Sequence, residues 1–166
     1  MSSRRLGLIA SVVVLVALTS VTAAATLPAE DAVVLENPET GETYDRFTLE
    51  PDETFAVTYI HSFEKTPVTG VYTVRDGEIH QVREEYAYNA AGLGYTRSER
   101  REGNRTVVDV DERVGSFAVR ISDSEDHYLT VDGDDRPLDS YADTWSTVRV
   151  TTERVSYLER YWSHGR

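Results

Sequence analysis

His61 and Ser62 stand side by side in a chain of 166 residues that has no cysteine and four histidines. A histidine beside a hydroxyl raises the possibility of a base and its nucleophile. The spacing argues against it. The two residues close an alternating stretch in which Phe55, Val57, Tyr59 and His61 share one face and Ala56, Thr58 and Ile60 the other, and adjacent side chains on a strand point to opposite faces. Hydrolysis through either residue would also need a carboxylate to orient the imidazole and an oxyanion hole, and neither is legible. The chain is therefore expected not to be an enzyme. His61, just ahead of Thr66 and Pro67, is expected either to cap its strand or to offer a hydrogen-bonding edge to a ligand or partner, with Glu84 or Glu85 from the following hairpin. Glu84 has the strand parity of Val82, Tyr86 and Tyr88, which turns it inward, where a carboxylate must be paired or protonated. Arg75, Arg83 and Arg120 are its candidate counter-ions, and a structural salt bridge is the simpler outcome.

Other chemistries find less support. His61, His80, His127 and His164 are scattered, with no pair at metal-ligand spacing, so no metal is expected. Asp132, Asp134 and Asp135 around Gly133 lack the spacing and closing glutamate of a calcium loop. Gly92-Leu93-Gly94 neither opens a helix after a strand nor precedes a phosphate-binding lysine, and no cofactor is expected. A formal net charge of -12 argues against nucleic acid and anionic lipid as partners, since both would be repelled. The basic run from Arg97 to Arg105 also carries Glu99 and Glu102 and reads as a solvated hairpin. Lys65 is the sole lysine, and with the acid excess this is the composition of salt-adapted archaeal proteins. Asn104-Arg105-Thr106 fits a glycosylation acceptor.

The elements that would position these residues are strands. One is expected over residues 55–61, and a second from Val68 to Val74. Asp76-Gly77 is a hairpin turn signal, after which a strand resumes from Ile79 to Tyr88. The small residues from Asn89 to Gly94 end it. Further strands are expected at 106–110, 116–121, 127–131 and 146–151, with Gly133 and Pro137 marking turns. Val155, Leu158 and Trp162 have helical spacing, so 152–162 is expected to form a short amphipathic helix. Many short strands with at most one helix give a mostly β fold, an antiparallel β-sandwich or open barrel.

Ahead of this domain, Arg4 and Arg5 precede an apolar run from Leu6 to Leu18 and small residues through Ala25, in the order of a signal peptide or, if uncleaved, a membrane anchor. Residues 1–25 are expected to deliver a single extracytoplasmic domain, 26–166, secreted or anchored to the outer face of the cytoplasmic membrane, with the arginines held inside.

The segment from His61 through Ser62, Thr66, Pro67 and Val68, followed by Val71 to Val74 and by Tyr86 to Gly94 with its Ala-Gly-Leu, resembles the small exported family catalogued as the 1850 domain of unknown function. Here Thr69-Gly70 stands where an acid commonly follows Pro-Val, and Gly94 where a proline commonly follows Gly-Leu. The resemblance implies an accessory of a TAXI-type TRAP solute transporter, with the binding protein or the fused permease as partner. The expected partner or ligand surface comprises His61, Ser62, Thr66, Pro67, Glu84, Tyr86, Gly92 and Leu93. The alternative is a free-standing envelope module that binds a small organic anion at a mouth lined by Tyr59, Tyr86 and an arginine.

Overall fold

The computed structural model describes residues 28–87 and 99–156. The chain divides into two units, residues 31–153 and, separately, residues 1–30 with 154–166. Of the second unit, residues 28–30 and 154–156 are described. The expected leader over 1–25 lies outside the described residues, as do Tyr88, the segment 89–94 and the end of the expected C-terminal helix. Among the described residues no helix is long and apolar enough to cross a membrane.

The strands are β1 (Pro28–Glu36), β2 (Thr43–Thr48), β3 (Phe55–Ile60), β4 (Pro67–Arg75), β5 (Glu78–Ala87), β6 (Glu99–Glu102), β7 (Arg105–Gly115), β8 (Phe117–Arg120), β9 (His127–Val131), β10 (Asp134–Pro137) and β11 (Thr147–Ser156), with one turn of 3-10 helix at Leu138–Ser140. They form two antiparallel sheets, β2-β1-β11-β8 and β10-β9-β3-β4-β5-β7-β6, which are not closed into a barrel. The chain passes from the larger sheet to the smaller at Gly115 and Ser116, between β7 and β8. The expected helix from Thr152 is not formed at its start, because β11 continues to Ser156. The β-branched residues just upstream favour extension there over the sparse helical spacing of Val155 and Leu158.

Alternation builds the core. Val33 and Leu35 of β1 and Val148 and Val150 of β11 pack in one cluster with Phe55 and Val57 of β3 and Leu129 and Val131 of β9. Each is a pair two residues apart, and each is nearly or completely buried, as period two requires. Burying one such side chain contributes about 1.5–3 kcal/mol. Four aromatic rings cross the interior in a row. Phe47 meets Phe55 edge-on at 5.7 Å, Phe55 stacks on Tyr72 at 5.4 Å, and Tyr72 stacks on Phe117 at 4.6 Å. Phe47 and Phe117 belong to the smaller sheet and the two rings between them to the larger, so the row ties the sheets together. At another point Asp45 of β2 accepts hydrogen bonds from Tyr141 at 2.7 Å and Arg136 at 3.1 Å.

Turn chemistry is as the sequence indicates. Asp76-Gly77 and Asp132-Gly133 both have positive φ at the two central residues, the geometry whose twist matches a hairpin and which favours Gly at the second position. The basic run forms the hairpin of β6 and β7, where Arg100 pairs with Glu102 and Asp109.

Candidate functional site

The register of β5 decides which side chains face the interior. Val68 of β4 lies opposite Tyr86, and Gly70 opposite Glu84, but the pairing then shifts so that Tyr72 lies opposite Gln81 and Val74 opposite Ile79. A bulge at Val82 absorbs the extra residue. The inward face is therefore Ile79, Gln81, Glu84 and Tyr86, with Val82 only half-buried. Simple parity places Glu84 and Tyr86 on this face but puts Val82 there instead of Ile79.

Between this face and β8 the sheets leave an open cleft of about 360 Å³, lined among others by Tyr59, Tyr72, Glu84, Val119, Arg120 and His127. Gly70 makes room for it. A methyl carbon built there would fall 2.8 Å from Cζ and 2.9 Å from Cε2 of Tyr72, and closer still to its hydroxyl. Tyr72 thus lies across the backbone of β4, a close approach that only glycine permits.

Glu84 is only 9 % exposed, and among the described residues it has no hydrogen-bond or ion-pair partner. Its candidate counter-ions are engaged elsewhere. Arg75 pairs with Asp111 at 3.1 Å and Arg83 lies 2.9 Å from Glu85. Arg120 lines the cleft but rests on the ring of Trp145, 5.8 Å from its centroid. The Glu84 charge is felt by the phenols around it. The Tyr72 hydroxyl is pushed up to about 12, first by burial and then by Glu84 and Tyr59. Tyr59 is raised by burial and by Glu84, and Tyr86 by burial and then by Glu99 and Glu84. These hydroxyls stay protonated near neutral pH and are available to donate hydrogen bonds.

The other expected site residues gather at one end of β4. His61 begins a tight turn closed by two backbone bonds, from His61 N–H to the Thr66 carbonyl and from Lys65 N–H to the His61 carbonyl, each 2.8 Å. Its Nδ1 accepts from the Glu64 N–H at 3.2 Å, which is the strand-capping alternative, and no bond joins it to Glu84 or Glu85 among the described residues. Ser62 is exposed. Lys65, at positive φ, is tied to Glu125 at 2.7 Å. Phe63 at the crest is 82 % exposed. Thr66, Pro67 and Tyr86 come together with Thr69, Asn104 and Arg105 around a second cavity of about 180 Å³. The expected surface thus falls into two places, the turn with this small cavity and the cleft of Glu84. Gly92 and Leu93 lie outside the described residues.

Tyr72 and His127 are the cleft residues that sequence reasoning missed, and with them Trp145, which lies under the Arg120 guanidinium. A signal was present for Tyr72, because a glycine inside a strand, two residues before a tyrosine on the same face, marks a ring laid over the backbone. His127 and Trp145 come from distant segments and carry no local signal.

A family model described as a domain of unknown function (DUF1850) matches residues 55–138. That span runs from the first residue of β3 to the start of the 3-10 helix, and it contains every strand of the larger sheet together with β8. No curated protein and no solved structure matches the chain.

Proposed function

The chain belongs to the DUF1850 family, and from that premise we propose that it is an exported accessory protein of a TAXI-type TRAP transporter, docking on the solute-binding protein or the fused permease through the turn between β3 and β4. The family resemblance supplies the transporter, and the order of Arg4, Arg5, the apolar run and the small residues supplies the extracytoplasmic location. The observation that carries the docking surface is Phe63. A phenyl ring 82 % exposed on a turn held by two backbone bonds, the His61 imidazole and the Lys65–Glu125 pair is a pre-organised anchor. Such a residue loses little freedom on binding and gains the burial of a large apolar surface. The protein is read as assisting transport without catalysing a reaction.

The test is a crosslinked pull-down of the tagged full-length protein from its native membranes at native salt, with Phe63→Ala and His61→Ala alongside. Recovery of a TAXI-type binding protein or permease by the wild type, reduced by about tenfold or more in Phe63→Ala as expected of an interface anchor, supports the reading. Recovery of neither from cells shown to express both overturns it.

A further inference from the structure

Two opposite charges line the cleft between the sheets, and among the described residues neither is neutralised by the other or by a carboxylate or basic neighbour. Glu84 is nearly buried on β5. Arg120 ends β8 with its guanidinium over the Trp145 ring. Its isolation is unusual in this chain, which has 29 acidic residues against 17 lysines and arginines and sets Arg75, Arg113, Arg136 and Arg149 against carboxylates. With acids in such excess, an arginine without one reflects placement.

The support beneath Arg120 is itself strained. Trp145 has φ 71, in the left-handed region that a bulky side chain avoids, and its indole is 57 % exposed. The conformation is fixed by backbone bonds on either side, from Trp145 N–H to the Ile121 carbonyl and from Ile121 N–H to the Ser146 carbonyl, each 2.9 Å. Strain retained beside a binding cleft is a pointer to function. A guanidinium stacked on an indole keeps its N–H edge free for a planar acceptor, the geometry suited to a carboxylate.

A ligand carrying one charge would satisfy one of these groups and leave the other opposed or bare. An organic anion on Arg120 would share the cleft with the Glu84 carboxylate, and a cation at Glu84 would share it with Arg120. We propose that the cleft binds a small zwitterion of the amino acid or betaine type, with its cationic group against Glu84 and the Tyr59 and Tyr72 rings and its carboxylate on Arg120. The cleft of about 360 Å³ is at the small end of ligand sites, as such a molecule requires. Aromatic rings beside a carboxylate are a recurrent setting for ammonium groups, and the raised tyrosine hydroxyls remain donors for the ligand's oxygens.

This inference is independent of docking on a transporter, and its test uses no partner. Isothermal titration calorimetry of the purified full-length protein would compare L-alanine and glycine betaine with butyrate and butylamine. The expected result is binding of at least one zwitterion, about tenfold or more tighter than either singly charged probe. Glu84→Gln and Arg120→Ala are each expected to weaken it by about tenfold or more, while Asp111→Ala, at an exposed pair with Arg75 outside the cleft, leaves it unchanged. Arg120 is exposed, so its variant tests binding even if Glu84→Gln perturbs folding. The proposal is overturned if neither zwitterion binds the folded wild type, if butyrate binds as tightly and ignores Glu84→Gln, or if binding survives both substitutions.

Discussion

Gly70→Ala tests the packing that opens the cleft, and its cost follows from the structure. The added methyl would sit 2.8 Å and 2.9 Å from two ring carbons of Tyr72, whereas carbon atoms pack at about 3.5–4.0 Å, so the ring must move by roughly 0.7 Å or more. It has little room to do so. Phe55 stacks on Tyr72 at 5.4 Å and Phe117 at 4.6 Å, and a ring shifted off one neighbour loses part of an aromatic contact worth about 0.5–1.5 kcal/mol. Overpacking of this kind costs about 1–3 kcal/mol. Gly to Ala in a strand would otherwise gain about 0.5–1 kcal/mol through chain entropy and propensity. The same substitution made in a Tyr72→Val background, where the ring is gone, is therefore expected to be neutral or stabilising. The coupling between the sites comes to about 1–3 kcal/mol, the overpacking term alone, because the Gly-to-Ala gain is common to both backgrounds and cancels. Urea unfolding of the four proteins at one fixed salt concentration reads it directly. If the two substitutions add within about 0.5 kcal/mol, Tyr72 is not pinned over Gly70 and the described shape of the cleft is wrong. Spectroscopic titration gives a second reading, since a displaced Tyr72 phenol should ionise below its value of about 12.

Two further outcomes are expected. Asp45→Ala removes the acceptor of Tyr141 and Arg136 and should destabilise by about 1–3 kcal/mol, whereas Asp111→Ala, which breaks only the exposed pair with Arg75, should stay within about 0.5 kcal/mol; thermal unfolding that ranks the two equally would contradict the stabilising role of the Asp45 hydrogen bonds. Alkali should destabilise the fold, because a phenol raised when folded, as Tyr72 is to about 12 from 10.0, contributes stability that is complete below about pH 10 and lost as pH rises through about 12; a melting temperature that holds while the phenolate band grows would refute the buried placement of that hydroxyl.

The strands nearest the site were legible because their signals are local. Alternation from Phe55 and the Asp76-Gly77 turn locate β3, β4 and β5 to within a residue or two, and His127–Val131 is recovered with both its ends. β1 was not legible, since Ala32, Val33, Val34 and Leu35 are all buried and a strand buried along consecutive residues shows no alternation. The edge strands β6 and β10 are short and charged, which protects sheet edges and also removes the hydrophobic pattern by which a strand is read. From Thr152 to Ser156 the helical spacing lost to strand formation, because β11 has a neighbour on each side in its sheet and local propensity is a weak prior against such pairing.

The site divides along the same line. Local pattern was enough to turn Glu84 and Tyr86 inward, to set His61 where a strand ends in a turn and to build the fold from antiparallel strands, because each of these follows from side-chain period and turn chemistry within a few residues. The bulge at Val82, the Tyr72 ring over Gly70, and the placing of Glu84, Arg120 and His127 around one cleft depend on the tertiary structure. Those depend on register between strands and on which sheet faces which, and these are fixed by packing among residues far apart in the chain, which no local pattern encodes.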